Sequence, residues 1–169
     1  MNKIYGKYVN LRIINESDAQ FVLSLRCNDK KSRFLHKTEN DIKKQQNYIK
    51  NFLTLNDEWY FIIENKNQEA IGTYRIYDLK LDSFCIGSWL MVYGTSPQQV
   101  LESDYLVRTF GFKETGFNKI CFDVRKENKK VVKYHKLMGA KLVAENNIDY
   151  FFECSKEDYL NNVRKFYEE

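Results

Sequence analysis

The chain has 169 residues, of which 43% are apolar and 15% aromatic, which is enough to bury the core of one domain spanning residues 1–169. Its net charge of +4 arises from 27 basic and 23 acidic residues that are interspersed, so no basic block marks a nucleic-acid surface. No run approaches the roughly 18 apolar residues needed to cross a bilayer, which argues against a membrane partner.

The first part of the chain predicts one short strand followed by two helices. The strand covers residues 8–13, and the first helix covers residues 17–27 with Ser17 available as its N-cap. Apolar residues recur at helical spacing in a second segment, residues 41–53, which is otherwise rich in Lys and Gln.

The pattern then changes to short β-branched and aromatic runs, which predict three strands in a meander over residues 59–64, 70–77 and 84–92. Helices and strands alternate afterwards: a helix over 97–113, a strand over 119–124, a helix over 129–138, strands over 141–144 and 150–153, and a helix over 156–167. These elements predict a mixed α/β (α+β) sheet.

The segment between the third meander strand and the next helix has the features of a helix start. Ser96 can act as N-cap, Pro97 suits the first helical position, and Gln99 completes a Ser-x-x-Gln capping box. The free N–H groups and the dipole of such a helix favour a phosphate or pyrophosphate. An ordinary helix cap without a ligand is the alternative.

A strand ending in Asp123-Val124-Arg125-Lys126-Glu127-Asn128, followed by a helix that ends at Gly139-Ala140, resembles the strand, Asn-bearing turn and helix of GNAT acetyltransferases. The resemblance runs from Gly87 to Ala140 and includes Glu102. Residues 25–29, 59–63 and 71–73 resemble the amino-sugar and ribosomal-protein branch of that family more loosely. The resemblance to this family implies a mostly antiparallel sheet of six to seven strands, splayed in the middle and flanked by helices on both faces.

The resemblance also implies acetyl-CoA as co-substrate. Pantetheine would bond the backbone of one strand, the pyrophosphate would bind the helix start, and the turn asparagine would contact the pantetheine; these positions are Trp89, Leu90, Met91, Ser96, Gln98, Gln99, Val100 and Asn128. Ser96 and Gln98 stand where the family usually has glycines, which narrows the approach of phosphate to the backbone.

Three residues are candidates for catalysis. The position that usually holds a carboxylate is Cys85, and the position of the usual tyrosine, seven residues after Asn128, is His135, with Tyr134 beside it. An imidazole titrates near neutral pH, so His135 is a candidate to protonate the departing thiolate; a packed core histidine is the alternative. Cys85 is a candidate acyl-carrying nucleophile or a small core thiol.

The acceptor pocket of the family lies near the loop between the first two helices. Five residues are candidates to line it: Arg26, His36, Tyr74, Arg75 and Tyr77. An exposed strand face is the alternative reading of the last three.

No metal site is expected, because the two histidines are isolated and the cysteines have no ligand spacing; these cysteines are Cys27, Cys85, Cys121 and Cys154. They follow no signal-like segment, which indicates reduced thiols and a cytoplasmic location.

The sequence therefore predicts an N-acetyltransferase that moves an acetyl group to a primary amine, most plausibly on an amino sugar or nucleotide-linked amino sugar in surface-polysaccharide synthesis. Acetylation of a protein N-terminus is one alternative, and a GNAT-like binding module without turnover is another. The chain is expected to be a monomer or a homodimer, because the segment Tyr150-Phe151-Phe152 suits either a core strand or a pairing edge.

Overall fold

The computed structural model describes residues 1–28, 33–34 and 38–167. In chain order its elements are β1 (Ile4–Tyr5), β2 (Asn10–Ile13), a 3-10 turn (Glu16–Asp18), α1 (Ala19–Arg26), α2 (Ile42–Phe52), β3 (Trp59–Glu64), β4 (Ala70–Tyr77), β5 (Phe84–Met91), α3 (Pro97–Thr115), β6 (Lys119–Arg125), α4 (Lys129–Leu137), β7 (Lys141–Glu145), β8 (Asp149–Ser155) and α5 (Lys156–Val163). No helix in these ranges combines the length and the apolar character that a membrane crossing requires.

The strands form one eight-stranded sheet in the order β1-β2-β3-β4-β5-β6-β8-β7. All neighbours are antiparallel except β5 and β6, which run parallel and pair only at Phe84 with Ile120 and at Cys85 with Cys121. Beyond these residues the described strands separate, and the edge of β5 that faces β6 is left without a strand partner. The sheet is therefore splayed in the middle, as predicted.

Helices cover both faces of this sheet, and the side chains of β3 enter a different core on each face. Its side chains alternate, so Phe61 belongs to the core beneath α3, with Val107 and Phe112 of that helix. The neighbouring Ile62 belongs to a second core with Ile49 of α2. Each face of β3 is thus buried by a different helical layer, which confirms the predicted fold class.

Near the N-terminus the structure differs from the sequence prediction at two segments. The first helix begins after a capping box formed by Asn15, which accepts from Ser17 N–H at 2.9 Å, so Ser17 is not the N-cap. A strand at Ile4–Tyr5, which was not predicted, raises the strand number to eight. Two residues are too few to show a strand period in the sequence.

The last helix is also shorter than predicted. It ends at Val163, where the prediction extended it to residue 167. Tyr167 instead donates a hydrogen bond from its hydroxyl to the buried Glu102 of α3 at 2.6 Å.

Candidate active site

A cleft of about 530 Å³ opens where β5 and β6 separate. It is bounded by β4, the middle of β5, the end of β6, the turn after β6 and the first turns of α4. Among the residues singled out in the sequence, the structure brings the following together along its walls: Arg26, Tyr74, Arg75, Tyr77, Trp89, Asn128 and His135. A gap between two parallel strands is where α/β folds commonly bind ligands.

The β5 wall of the cleft contains a bulge that the sequence analysis missed. The register between β4 and β5 shifts between Thr73 and Arg75, and Ser88 adopts a positive φ of 50°. The Thr73 hydroxyl donates to the Ser88 carbonyl at 2.8 Å and holds this geometry in place. The signal available in the sequence was Gly87, because a glycine inside a strand often marks a bulge.

The side chain of Trp89 is engaged inside the protein. Its ring stacks on Tyr74 with centroids 5.0 Å apart, and its Nε1–H donates to Ser103 Oγ at 3.2 Å. Leu90 is buried and pairs with Thr73 of β4. Contact of Trp89, Leu90 and Met91 with pantetheine through their backbones stays a prediction, and the separation of β5 from β6 beyond Cys85 is compatible with it.

The start of α3 has the predicted capping box. Ser96 Oγ accepts from Gln99 N–H at 3.2 Å, and Gln99 Oε1 accepts from Ser96 N–H at 3.0 Å. Val100 N–H bonds the Ser96 carbonyl at 3.0 Å, and Pro97 has no N–H. The box thus occupies donors that were expected to hold a pyrophosphate, and Gln98 is the first-turn residue whose N–H these contacts leave unused.

Asn128 occupies the turn between β6 and α4. Its N–H bonds the Arg125 carbonyl at 2.9 Å, and its own carbonyl accepts from Val132 N–H at 3.0 Å. The Asn128 side chain does not cap α4, although it stands at the N-cap position. Its backbone shapes the turn, and the residue lines the cleft.

His135 lies on α4 and is 5% exposed. Its Nδ1 accepts a hydrogen bond from Arg108 Nη2 at 2.9 Å, since a guanidinium has only donors. Burial and then the charge of Arg108 lower the pKa of His135 from 6.5 to about 3. Burial beside a cation, which the sequence does not reveal, thus disfavours titration of this imidazole near neutral pH, and the catalytic role of His135 stays a prediction.

Tyr134 does not line the cleft. Its hydroxyl donates to Asp104 Oδ2 at 2.7 Å, and burial followed by the charge of Asp104 raises its pKa well above 10. The proton of Tyr134 is thus directed at a buried carboxylate, which disfavours its transfer to a substrate.

Cys85 lies at the closed end of the splay, on the last pair that joins β5 to β6. Its thiol is 3.7 Å from Asp78 Oδ2. Burial and then the charge of Asp78 raise the pKa of Cys85 to about 12, so the nucleophilic thiolate is absent at neutral pH. These contacts favour the core-thiol alternative over the acyl-carrying role.

The acceptor candidates divide between the two faces of the sheet. Tyr74 is 1% exposed and donates its hydroxyl to Asp104 Oδ1 at 2.5 Å, so it belongs to the core under α3. Arg75 faces the other way, 4.7 Å over the ring of Tyr77 and paired with Glu58 at 2.7 Å. His36 lies outside the described residues.

A second hollow of about 340 Å³ adjoins the cleft on the face covered by α1 and α2. Arg26, Arg75 and Ser88 line both spaces. Arg26 donates to Thr38 Oγ1 at 2.7 Å and to Ser88 Oγ at 3.3 Å. The cleft at the splay is therefore continuous with the hollow beneath α1 and α2, through the residues that line both.

Asp104 and Arg108 of α3 are the main residues that the sequence analysis missed. Both are 0% exposed and form an ion pair of 2.8 Å at the back of the cleft. In the sequence their spacing is typical of a solvent-exposed pair on a helix. Within the described ranges no three His, Cys, Asp or Glu side chains are arranged to hold a metal ion.

In the described part of the chain the sheet is splayed where β5 and β6 run parallel. The start of α3 follows β5, and the turn with Asn128 follows β6. This arrangement is that of the acyltransferase class that the sequence resembles. The sequence model of the GNAT acetyltransferase domain matches residues 9–141. The chain belongs to the GNAT acetyltransferase family.

Solved structures agree with this assignment. The chain is similar to apo FdhC, a nucleotide-linked sugar GNAT, at 34% identity and a TM-score of 0.87, over 98% of this chain and 96% of that one. It shares its fold with spermidine N-acetyltransferase from Vibrio cholerae in complex with CoA and spermine, at 16% identity and a TM-score of 0.80, over 92% and 100% of the two chains. A GCN5-related N-acetyltransferase from Brucella melitensis matches at 14% identity and 0.77, over 96% and 82%. No curated protein sequence matches significantly.

Proposed function

We propose that this enzyme transfers the acetyl group of acetyl-CoA to the primary amine of a nucleotide-linked amino sugar, as a step in surface-polysaccharide synthesis. The reaction follows from the family, whose members use acetyl-CoA. The acceptor half is supported by the 34% identity with FdhC, which is described as a nucleotide-linked sugar GNAT.

The observation that carries the acceptor half is the chemistry of the second hollow. Its walls combine two guanidinium groups, those of Arg26 and Arg75, with the exposed ring of Tyr48. Lys44 also lines the hollow, where it pairs with Glu39. Guanidinium groups bind phosphate through paired N–H donors, and aromatic rings stack on a nucleobase. This set of side chains suits a nucleoside diphosphate.

Arg75 is only partly buried by its partner inside the protein. Its Nη2 bonds Glu58, and 23% of the side chain remains exposed. A phosphate oxygen in the hollow would gain a charge-assisted hydrogen bond from this guanidinium. Since Arg75 also lines the cleft, a nucleotide held here would extend its sugar toward the gap in the sheet.

The cofactor would lie on the opposite side of the gap. The edge of β5 that separates from β6 is suited to bond pantetheine amides, and Gln98 N–H is suited to bond a phosphate oxygen. Asn128 stands at the opposite wall of the cleft. Acetyl-CoA supplies the activated acetyl group when it is bound. The raised pKa of Cys85 and the lowered pKa of His135 disfavour both as bases at neutral pH. The acceptor ammonium therefore gives its proton to water in the open cleft, and the neutral amine then attacks the acetyl group.

The test is a steady-state assay of CoA release with acetyl-CoA and four acceptors. The acceptors are a nucleotide-linked amino sugar, the same sugar as its 1-phosphate, a peptide N-terminus and spermidine. We expect the highest kcat/KM for the nucleotide-linked sugar. Acetylation of the peptide alone would favour the N-terminal acetyltransferase alternative, and absence of both CoA binding and turnover would favour a binding module.

A variant of Arg75 tests the recognition of the nucleotide separately from the recognition of the sugar. Arg75→Gln should raise the KM for the nucleotide-linked sugar by about 10-fold or more, since a hydrogen bond to a charged group contributes about 1.5–3 kcal/mol. Turnover of the sugar 1-phosphate should change less. The exposed Arg164, beyond the end of α5, provides the matched control Arg164→Gln, which should behave as wild type. Equal effects of both variants on the nucleotide-linked substrate would refute the proposed nucleotide position.

We also propose a cytoplasmic location, a monomeric or homodimeric state, and no nucleic-acid or membrane partner. The interspersed charges support the proposals on partners, and the four free cysteines suit a reducing compartment.

A further inference from the structure

A buried polar network connects α3 with α4 behind the cleft. Asp104 accepts hydrogen bonds from Arg108 Nε at 2.8 Å, from Tyr74 at 2.5 Å and from Tyr134 at 2.7 Å. The Arg108 guanidinium also lies 4.5 Å from the centre of the Tyr159 ring. Arg108 is 0% exposed, and its Nε and Nη2 are bonded while its Nη1 is enclosed without a hydrogen-bond partner.

Arg108 determines which nitrogen of His135 carries a proton. Its Nη2 lies 2.9 Å from His135 Nδ1 and is a donor under all conditions, so Nδ1 must present its lone pair. A neutral imidazole with an accepting Nδ1 carries its hydrogen on Nε2. His135 is therefore held as the Nε2–H tautomer.

The Nε2–H of His135 reaches the cleft. It makes no hydrogen bond to the described residues, yet it is not one of the polar atoms that are enclosed without a partner. An unbonded nitrogen that is not enclosed is open to solvent, and the open space beside His135 is the cleft at the splay. The side chain thus offers one N–H donor to whatever occupies the cleft.

This donor cannot act as an acid. Burial and Arg108 keep the imidazole neutral at neutral pH, as the pKa of about 3 indicates. Loss of a proton from a neutral imidazole would leave an imidazolate, which is far less stable than a thiolate. The proton consequently stays on Nε2, and no bond of the protein breaks during acyl transfer. A neutral imidazole of this kind stabilises developing negative charge through a hydrogen bond.

We propose that Arg108 is a positioning residue, which fixes His135 as the Nε2–H tautomer and directs that N–H at the atom gaining negative charge in acyl transfer. The role in turnover rests on the proposed function, but the tautomer is a property of the resting protein. Asp104 supports this arrangement by balancing the charge of Arg108.

The first experiment is ¹⁵N NMR of the imidazole nitrogens in the wild-type protein. The chain has two histidines, so spectra of His135→Gln and His36→Gln assign the signals. We expect the His135 signals of a neutral ring with hydrogen on Nε2 at about pH 7, unchanged at about pH 5. A protonated ring, or hydrogen on Nδ1, would overturn the proposal without any variant or substrate.

The second experiment asks whether Arg108 acts through His135. Arg108→Met, made together with Asp104→Asn to avoid an unbalanced carboxylate, should allow the Nδ1–H tautomer to appear, and Arg108→Lys should retain Nε2–H. Far-UV circular dichroism and thermal melting establish which variants are folded. A folded Met variant that keeps only the Nε2–H tautomer would refute the assignment.

The third experiment is a kinetic double-mutant cycle in the Asp104→Asn background. His135→Gln and Arg108→Met should each lower kcat by about 10-fold or more with little change in KM for acetyl-CoA. If Arg108 acts only through His135, the combination should lose no more than His135→Gln alone. Additive losses would overturn the proposal. If no acceptor is acetylated, the proposed function fails, and the NMR result still decides the tautomer.

Discussion

Replacing Asp104 with asparagine should leave Arg108 as an unbalanced cation inside the protein. Both side chains are 0% exposed and are joined at 2.8 Å. Asparagine has nearly the same shape as aspartate, so the substitution removes the charge with little change in packing. The hydroxyls of Tyr74 and Tyr134, which both donate to Asp104, would lose an anionic acceptor.

The size of the effect follows from this geometry. Removing one partner of a buried ion pair costs about 3–5 kcal/mol, because the remaining charge is desolvated without compensation. The asparagine oxygen can still accept from Arg108 and Tyr74, so we expect the lower end, about 3 kcal/mol. In a chain of 169 residues such a loss lowers the Tm by about 6–12 °C.

The pH dependence of the effect has a definite sign. Burial is the largest single influence and raises the pKa of Asp104, but the charge of Arg108 together with the hydrogen bonds from Arg108 and Tyr74 outweighs burial and holds the pKa below its ordinary value of 3.8. Such a carboxyl stabilises the folded state above the unfolded pKa and loses this contribution as the pH falls through the folded pKa. The difference between wild type and Asp104→Asn should be constant near neutral pH and shrink only below pH 3.8.

Urea unfolding and calorimetry at about pH 7 measure the difference directly. The matched control is Asp82→Asn, since Asp82 is 70% exposed and lies 3.0 Å from Lys119. An exposed pair of this kind contributes little, so the control should unfold like wild type. If Asp104→Asn unfolds like the control, Asp104 does not balance Arg108, and the buried network described here is wrong.

Three further predictions concern the cleft. The pKa of His135 is about 3 in the folded protein and 6.5 ordinarily, so the unfolded state binds the extra proton between these values. Stability should fall as the pH decreases through that window, and His135→Gln should flatten the slope in urea titrations; an unchanged slope would contradict the burial of a neutral ring. Gln98→Glu should keep or raise the Tm through the helix dipole but weaken CoA binding in calorimetric titrations. The control is Gln20→Glu, since Gln20 is likewise an exposed second residue of its helix, α1; it should leave CoA affinity unchanged. Equal CoA affinity of the two variants would contradict a phosphate site at the start of α3. Cys85→Ala should keep kcat near wild type, because its pKa of about 12 excludes a thiolate nucleophile; loss of turnover with retained folding would restore that role.

Features decided by neighbouring residues could be predicted from the sequence. The capping box of Ser96 and Gln99 forms as expected, because its donors and acceptors lie within one helical turn. The change of period after β5 likewise predicted the alternation of helices and strands that follows. Even the error at Ser17 is local, since Asn15 is an equally good cap two residues earlier.

Features decided by distant residues could not be predicted. The i,i+4 spacing of Asp104 and Arg108 is typical of an exposed ion pair on a helix. The pair is buried because the sheet, α4 and α5 cover this polar side of α3. The Arg108 contact with His135 spans 27 positions, and the Ser88 bulge depends on Thr73 in the neighbouring strand. No local pattern encodes either contact.

The sequence by itself determined the order of the elements, the start of α3 and the family, because each of these rests on residues close together in the chain. Only the tertiary structure decided that the imidazole at the cleft is a neutral donor. Its protonation depends on burial and on a cation brought from another helix, and both exist only after the chain has folded.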